Sequence, residues 1–265
     1  MRLLHLSDIH FQAPLCLTPD QDPNESFRVR LEEDLEELCS DGIPVDAILV
    51  GGDIAYKADQ DEFTAAQEWL LRMANICNCS PSRILTVPGN HDVDRAICRL
   101  PTVSNAQDAI ASKKTFHERD GALKRQLDYP ESAAHLYQPL AAYNAFAAQF
   151  NCNLFDGRPF WNQTFEINDG VKLRIFGLNS TVISGGGDRD NSPGHLFLGS
   201  TQTVLRPDRD VVGLCLSALA QRDRQLVLLR LAAELKTHRQ PQLVTNSNFL
   251  YSCSVRLLAG LTLSV

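Results

Sequence analysis

Six residues in this chain have the types and spacing to do chemistry: Asp8, His10, Asp53, Asn90, His91 and Asp92. Asp8 and His10 stand two apart, so in an extended segment both side chains point to one side and can share a cation. A carboxylate with a neutral imidazole suits borderline-hard ions such as Mn²⁺, Zn²⁺ or Fe. Asp53 follows Gly51 and Gly52, which let the backbone turn sharply and approach a ligand closely. A carboxylate placed there can bridge two ions. Asn90 adds a neutral amide oxygen. His91, adjacent to it, points elsewhere and is better suited to act as an acid or to stabilise a transition state than to ligate. Asp92 can orient His91 or cap the segment that follows.

The elements that must position these groups are legible in the hydrophobic pattern. Each group follows a short apolar run, at residues 3–6, 47–50 and 84–87. Between the runs lie helical patterns at 25–38, with Phe27, Leu31, Leu35 and Leu38 on one stripe, and at 62–76, with Phe63, Ala66, Trp69, Leu70 and Met73. Strand, helix, strand, helix, strand predicts a parallel α/β sheet. In such sheets the carboxyl ends of the strands carry the chemistry, so the three groups are expected to converge on one crevice. Residues 94–158 then read as a helical insertion, with segments near 106–126 and 132–150. A hairpin is expected from strands 160–167 and 171–178 around Asn168-Asp169-Gly170. Beyond it come a Gly- and Asp-rich loop at 184–192, a strand at 211–216, a helix at 219–235, and an apolar but aperiodic stretch at 243–265.

With 265 residues, 44% of them hydrophobic, the chain can bury a large core as one domain. No apolar stretch approaches the roughly 20 residues needed to span a bilayer, and Ser7 and Asp8 interrupt the amino terminus before a secretory apolar region develops. A cytoplasmic protein is expected. The eight cysteines are scattered and read as free thiols; Cys77-x-Cys79 has no second pair at zinc-ligand spacing. Net charge is −7. It is unevenly spread, since residues 211–265 hold six Lys or Arg against two Asp or Glu, leaving the acidic excess in 1–210. An acidic body argues against extended nucleic-acid binding. Lys113, Lys114, Lys124 and Arg125 read as a solvated helix face rather than a phosphate grip.

Ser7-Asp8-Ile9-His10, Gly52-Asp53-Ile54-Ala55-Tyr56 and Gly89-Asn90-His91-Asp92, with the flanks Leu4-His5-Leu6 and Thr86-Val87-Pro88, resemble the first three signature blocks of the calcineurin-like metallophosphoesterases. The likeness is strongest to the bacterial cyclic-nucleotide phosphodiesterase-like branch and covers roughly residues 1–210. It implies a four-layer α/β/β/α sandwich and a centre of two divalent ions, Mn²⁺, Fe or Zn²⁺. By resemblance, Asp8 and His10 hold the first ion, Asp53 bridges both, Asn90 holds the second, and His91 assists the leaving group. Two ions so held, about 3.5–4 Å apart, acidify a bridging water and clamp the attacking and leaving oxygens at phosphorus. The implied reaction is phosphoester hydrolysis, most simply of a phosphodiester, with a cyclic nucleotide as candidate substrate.

The resemblance stops at the carboxyl-terminal part. The family's later blocks supply a His-His pair after one strand and a Gly-His-x-His block after the next. Here Ser217-Ala218-Leu219-Ala220 follows the expected strand, and no histidine occurs between His195 and His238. Lys236-Thr237-His238 preserves at most the last two residues of the second block and reads as a helix end. His5 reads as structural, His117 and His135 as surface or packing residues, and His195 as structural or substrate-side. On this pattern the first ion keeps Asp8, His10 and Asp53, while the second keeps only Asp53 and Asn90 and is weakly held. Residues 211–265 are thus expected to be a divergent, incomplete or frameshifted end of the same domain. The alternative function is a catalytically silent relative that binds a nucleotide or protein partner.

Overall fold

The computed structural model describes residues 2–155, 158–168, 171–185, 196–203, 211–218, 242–245 and 254–259. Three parallel strands form its centre: β1 (Arg2–Ser7), β2 (Ala47–Val50) and β3 (Ile84–Thr86). Helices α1 (Glu25–Leu38) and α2 (Gln60–Ile76) make the two crossovers. β2 and β3 are buried throughout, as expected of strands covered on both faces. Their pairing in register (Leu3 with Ala47, Ile48 with Ile84) brings all three carboxyl ends to one edge.

The helices follow from local chemistry. Asp59 and Glu62 form a capping box that starts α2, and Phe63, Ala66, Trp69, Leu70 and Met73 are all buried, as the periodicity predicts. In α1 the stripe differs from expectation. Phe27 and Leu38 are exposed, and the buried line runs through Arg28 and Leu35. Arg28 is drawn inward because its guanidinium pairs with buried Asp22 and with Glu25 and lies 4.4 Å over the Phe11 ring.

The two helical segments expected near 106–126 and 132–150 are each divided. The first becomes α4 (Pro101–Ala111) and α5 (Phe116–Leu127), separated because Thr115 and Glu118 form a new capping box. The second becomes α6 (Pro130–Tyr137) and α7 (Ala141–Ala148), with a 3₁₀ turn at Gln138–Leu140. Pro139 lacks the N–H that a continuous helix would need. A one-turn helix, α3 (Arg95–Cys98), precedes them, capped by Asp94.

β4 (Phe160–Asn168) and β5 (Val171–Leu178) form the expected antiparallel hairpin, although Asp169 and Gly170 at its turn lie outside the described residues. After α8 (Ser200–Thr203), β6 (Val211–Leu216) adds in parallel to β5 and completes a three-stranded second sheet. The two sheets share one apolar core. Trp161 of β4 donates its indole N–H to the Thr86 carbonyl of β3 at 2.9 Å, and Leu173, Ile175 and Leu216 join the cluster of Leu3, Ile48 and Leu85. This is the mixed α/β sandwich that the sequence predicts.

The aperiodic stretch from 243 onward proves to contain strand. β7 (Gln242–Thr245) pairs with β8 (Ser254–Ala259), and β8 lies antiparallel beside β1, giving the first sheet the order β3-β2-β1-β8-β7. The helix expected at 219–235, most of the loop expected at 184–192, His195 and His238 lie outside the described residues.

Candidate metal centre

The three strand ends are stitched together past the strands themselves. Asp8 N–H donates to Gly52 O, His10 N–H to Asp53 O, and Phe11 N–H to Ile54 O, at 2.9–3.1 Å. Parallel pairing between the segments after β1 and β2 thereby continues through the ligand positions. Asp8, His10 and Asp53 all adopt φ between 52° and 58°, a left-handed conformation that non-glycine residues seldom take. Such strain persists only where the surroundings impose it, and it clusters at functional sites.

Two glycines let the loops close. Gly52 has φ +97°, and a Cβ there would come within 2.7 Å of both Ala218 Cβ and Gly89 N. At Gly89 a Cβ would overlap the amide nitrogen and carboxylate of Asp53. The second and third loops are therefore pressed backbone to backbone, and Asp53 is held between them. His91 N–H donates to Asp53 Oδ1 at 3.0 Å, fixing that carboxylate from the third loop.

One ligand atom from each of Asp8, His10 and Asp53 lies within 4.8 Å of the other two. This donor set fits a divalent cation. Burial and the neighbouring Asp53 charge push the Asp8 carboxyl up to about 6, although the Ser7 hydroxyl, donating to it at 2.8 Å, pulls the other way. Burial holds the His10 imidazole below its ordinary range, hence neutral and able to ligate near pH 7. Its Nδ1 is buried with no partner in hydrogen-bond geometry among the described residues. Two carboxylates brought together beside a neutral imidazole are relieved by a cation.

Asn90 is buried in a 3₁₀ turn between Gly89 and His91, both of which touch Asp53. The His91 ring lies edge-to-face with His10 at 4.7 Å between centroids and 5.6 Å from the ring of exposed Tyr56. Its Nδ1 is 2.9 Å from the Tyr56 carbonyl. Asp92 is fully buried, and its oxygens accept from Gly89 N, Ala55 N and Ile54 N. Burial and Asp53 raise its pKa, but three N–H donors leave no acceptor for a carboxyl proton. Of the two roles open to Asp92 in the sequence, orienting His91 is not what these bonds do. Nor does Asp92 cap the segment that follows, which Asp94 does; its bonds hold its own turn and tie the third loop to the second.

A family model of calcineurin-like phosphoesterases matches residues 1–212. The chain belongs to the calcineurin-like phosphoesterase family. No curated protein matches it closely enough to add a relative. The match ends at residue 212, inside β6 (Val211–Leu216). β6 does deliver its carboxyl end to the centre, for Ala218 packs on Gly52 and its carbonyl accepts from the Ser180 hydroxyl. The position expected to hold a histidine pair is present, occupied by Ser217 and Ala218.

Other residues of the chain were not singled out by their sequence. Glu62 is fully buried; Oε1 accepts from Ala13 N and Oε2 from Tyr56, Lys57 and Asp59 N. The Asp59-x-x-Glu62 capping-box pattern was the available signal for it. The contact of Ala218 with Gly52 had none. His117 is exposed, and His135 lies on α6 within the insertion, as expected of structural or surface residues. Lys113, Lys114, Lys124 and Arg125 are exposed, and Lys124 pairs with Asp120 at 2.9 Å. The seven described cysteines are free thiols.

Proposed function

We propose that the chain hydrolyses a phosphodiester with the help of divalent cations at the Asp8, His10, Asp53 and Asn90 centre. The observation that carries this is the convergence of Asp8, His10 and Asp53 at the carboxyl edge of the first sheet in a chain of this family. Asp8, His10 and Asp53 would hold the first ion, and Asp53 with Asn90 a second, more weakly held one. When bound, Mn²⁺, Fe or Zn²⁺ acidifies water and offsets charge on the phosphoryl oxygens.

The protein's own groups supply the rest. A carbonyl oxygen can only accept, so His91 Nδ1 carries a proton toward Tyr56 O. The second ring nitrogen is then the one that takes up the further proton in the imidazolium form and can pass it to the leaving oxygen, which makes His91 the general acid. Asp92 positions this turn rather than touching substrate. A cyclic nucleotide remains the candidate substrate, supported by the branch resemblance of the three motifs. The acidic body supports small substrates over extended nucleic acid.

We further assign residues 1–210 to one metallophosphoesterase domain with a helical insertion at about 94–158, and 211–265 to a divergent end of the same domain. The pairing of β8 with β1 and of β6 with β5 supports a single domain. Free thiols support a reducing, cytoplasmic compartment, and no helix among the described residues is long and apolar enough to cross a membrane. Ser217 and Ala218 in the place of a histidine pair favour the second reading, a silent relative that binds a nucleotide or protein partner. One assay decides between them: load the purified chain with Mn²⁺, measure bound metal, and follow hydrolysis of bis(4-nitrophenyl) phosphate against Asp53→Asn. Less than one ion per chain with no turnover above the Asp53→Asn background would rule out the enzyme.

A further inference from the structure

We infer that Glu62 is a positioning residue for His91, acting through the peptide unit that joins Tyr56 to Lys57. This rests on the assignment of His91 as the acid of the proposed reaction. A capping-box glutamate needs only to reach back to its N-cap amide, here Asp59 N at 3.2 Å. Glu62 does more. The same oxygen also accepts from Lys57 N at 3.0 Å and Tyr56 N at 3.1 Å, so three amides of one turn converge on Oε2. Ala13 N, at 3.0 Å from Oε1, ties in the segment that follows His10.

The geometry of the peptide bond turns this into control of His91. The 56–57 bond is trans, and in a trans peptide C=O and N–H point in opposite directions from one plane. With its N–H held by Glu62, the plane must aim the Tyr56 carbonyl away from Glu62. That carbonyl is 2.9 Å from His91 Nδ1. The Lys57 bond therefore sets the orientation of the acceptor that selects the Nδ1–H tautomer of His91 and leaves Nε2 to exchange a proton with the substrate. A flip of this one peptide would put an N–H where His91 needs an acceptor. Ala58, the next residue, has φ +61°, and the turn is held in that uncommon conformation by the same carboxylate on both sides.

The test reads the His91 tautomer directly, by ¹⁵N NMR of the full chain loaded with diamagnetic Zn²⁺. In its neutral form wild-type His91 is expected to carry its proton on Nδ1; a neutral ring protonated on Nε2 instead would overturn the inference without any variant. Two conservative variants then separate reach from charge. Glu62→Gln keeps an oxygen at the reach of Lys57 N while setting its NH₂ against Ala13 N–H, so it should preserve the tautomer at some loss of stability. Glu62→Asp keeps the charge but falls one methylene short, and should lose it. In turnover, Glu62→Asp should slow a phenyl ester about tenfold or more while a 4-nitrophenyl ester, which needs little protonation, changes by less than about twofold, with KM steady. A folded Glu62→Asp with the wild-type tautomer, or equal losses on both esters, would overturn it. Should the wild type hydrolyse neither ester, the proposed reaction fails, while the tautomer measurements still decide the role of Glu62.

Discussion

Metal affinity at this centre should depend on pH through Asp8. Its carboxyl is raised from 3.8 to about 6, chiefly by burial. A carboxyl so raised stabilises the metal-free fold fully only below its ordinary value, and that contribution is lost as pH rises through about 6. At about 1.4 kcal/mol per tenfold change, the shift amounts to about 3 kcal/mol. A cation reverses the preference, because it requires the carboxylate and expels the proton. At pH 7 competition from this proton is slight; at pH 5 Asp8 is about nine-tenths protonated, and apparent affinity should be about tenfold weaker. Isothermal titration with Mn²⁺ between pH 5 and 8, in buffers of different ionisation enthalpy, measures both the affinity and the protons released. Close to one proton should leave at pH 5 and few at pH 7. The metal-induced rise in melting temperature should likewise be larger at pH 7 than at pH 5. Asp8→Asn should flatten the slope. Affinity independent of pH from 5 to 7, or still climbing tenfold per unit above 7, would refute this account of Asp8 as a ligand made reluctant by burial.

Two further predictions concern the scaffold. Gly89→Ala places a methyl on the Asp53 carboxylate and amide, where backbone limits relief; Mn²⁺ affinity should fall at least about tenfold and stability by about 1–3 kcal/mol, measured by titration and urea unfolding. Arg28→Met strands the Asp22 carboxylate, whose side chain is 1% exposed, and removes the cation over Phe11. A loss of about 3–5 kcal/mol in urea unfolding is expected, and an unchanged midpoint would show that the pair does not hold the loop after His10.

The sequence by itself determined the three parallel strands, the hairpin and strand 211–216, the crossover helices and which loops meet. Those features are local: apolar runs of fixed period, Gly pairs after strands, and Asp, His and Asn at strand ends require no knowledge of distant partners. Convergence of the carboxyl ends then follows from parallel βαβ connection, whereas the strand order β3-β2-β1-β8-β7 is set by the tertiary structure. Tertiary structure alone decided what the loop residues touch. Asp92 could have oriented His91, but the closure of Gly89 onto Gly52 and Asp53 put the Ile54 and Ala55 amides within its reach instead. The apolar stripe read for α1 left Arg28 out, and only the tertiary contacts with Asp22 and Phe11 draw it inward. The stretch after residue 242 shows no strand period, yet β8 is strand because the open edge of β1 supplies it with hydrogen-bond partners. Contacts between residues distant in sequence depend on how whole segments close on one another, and no periodicity within either segment encodes that.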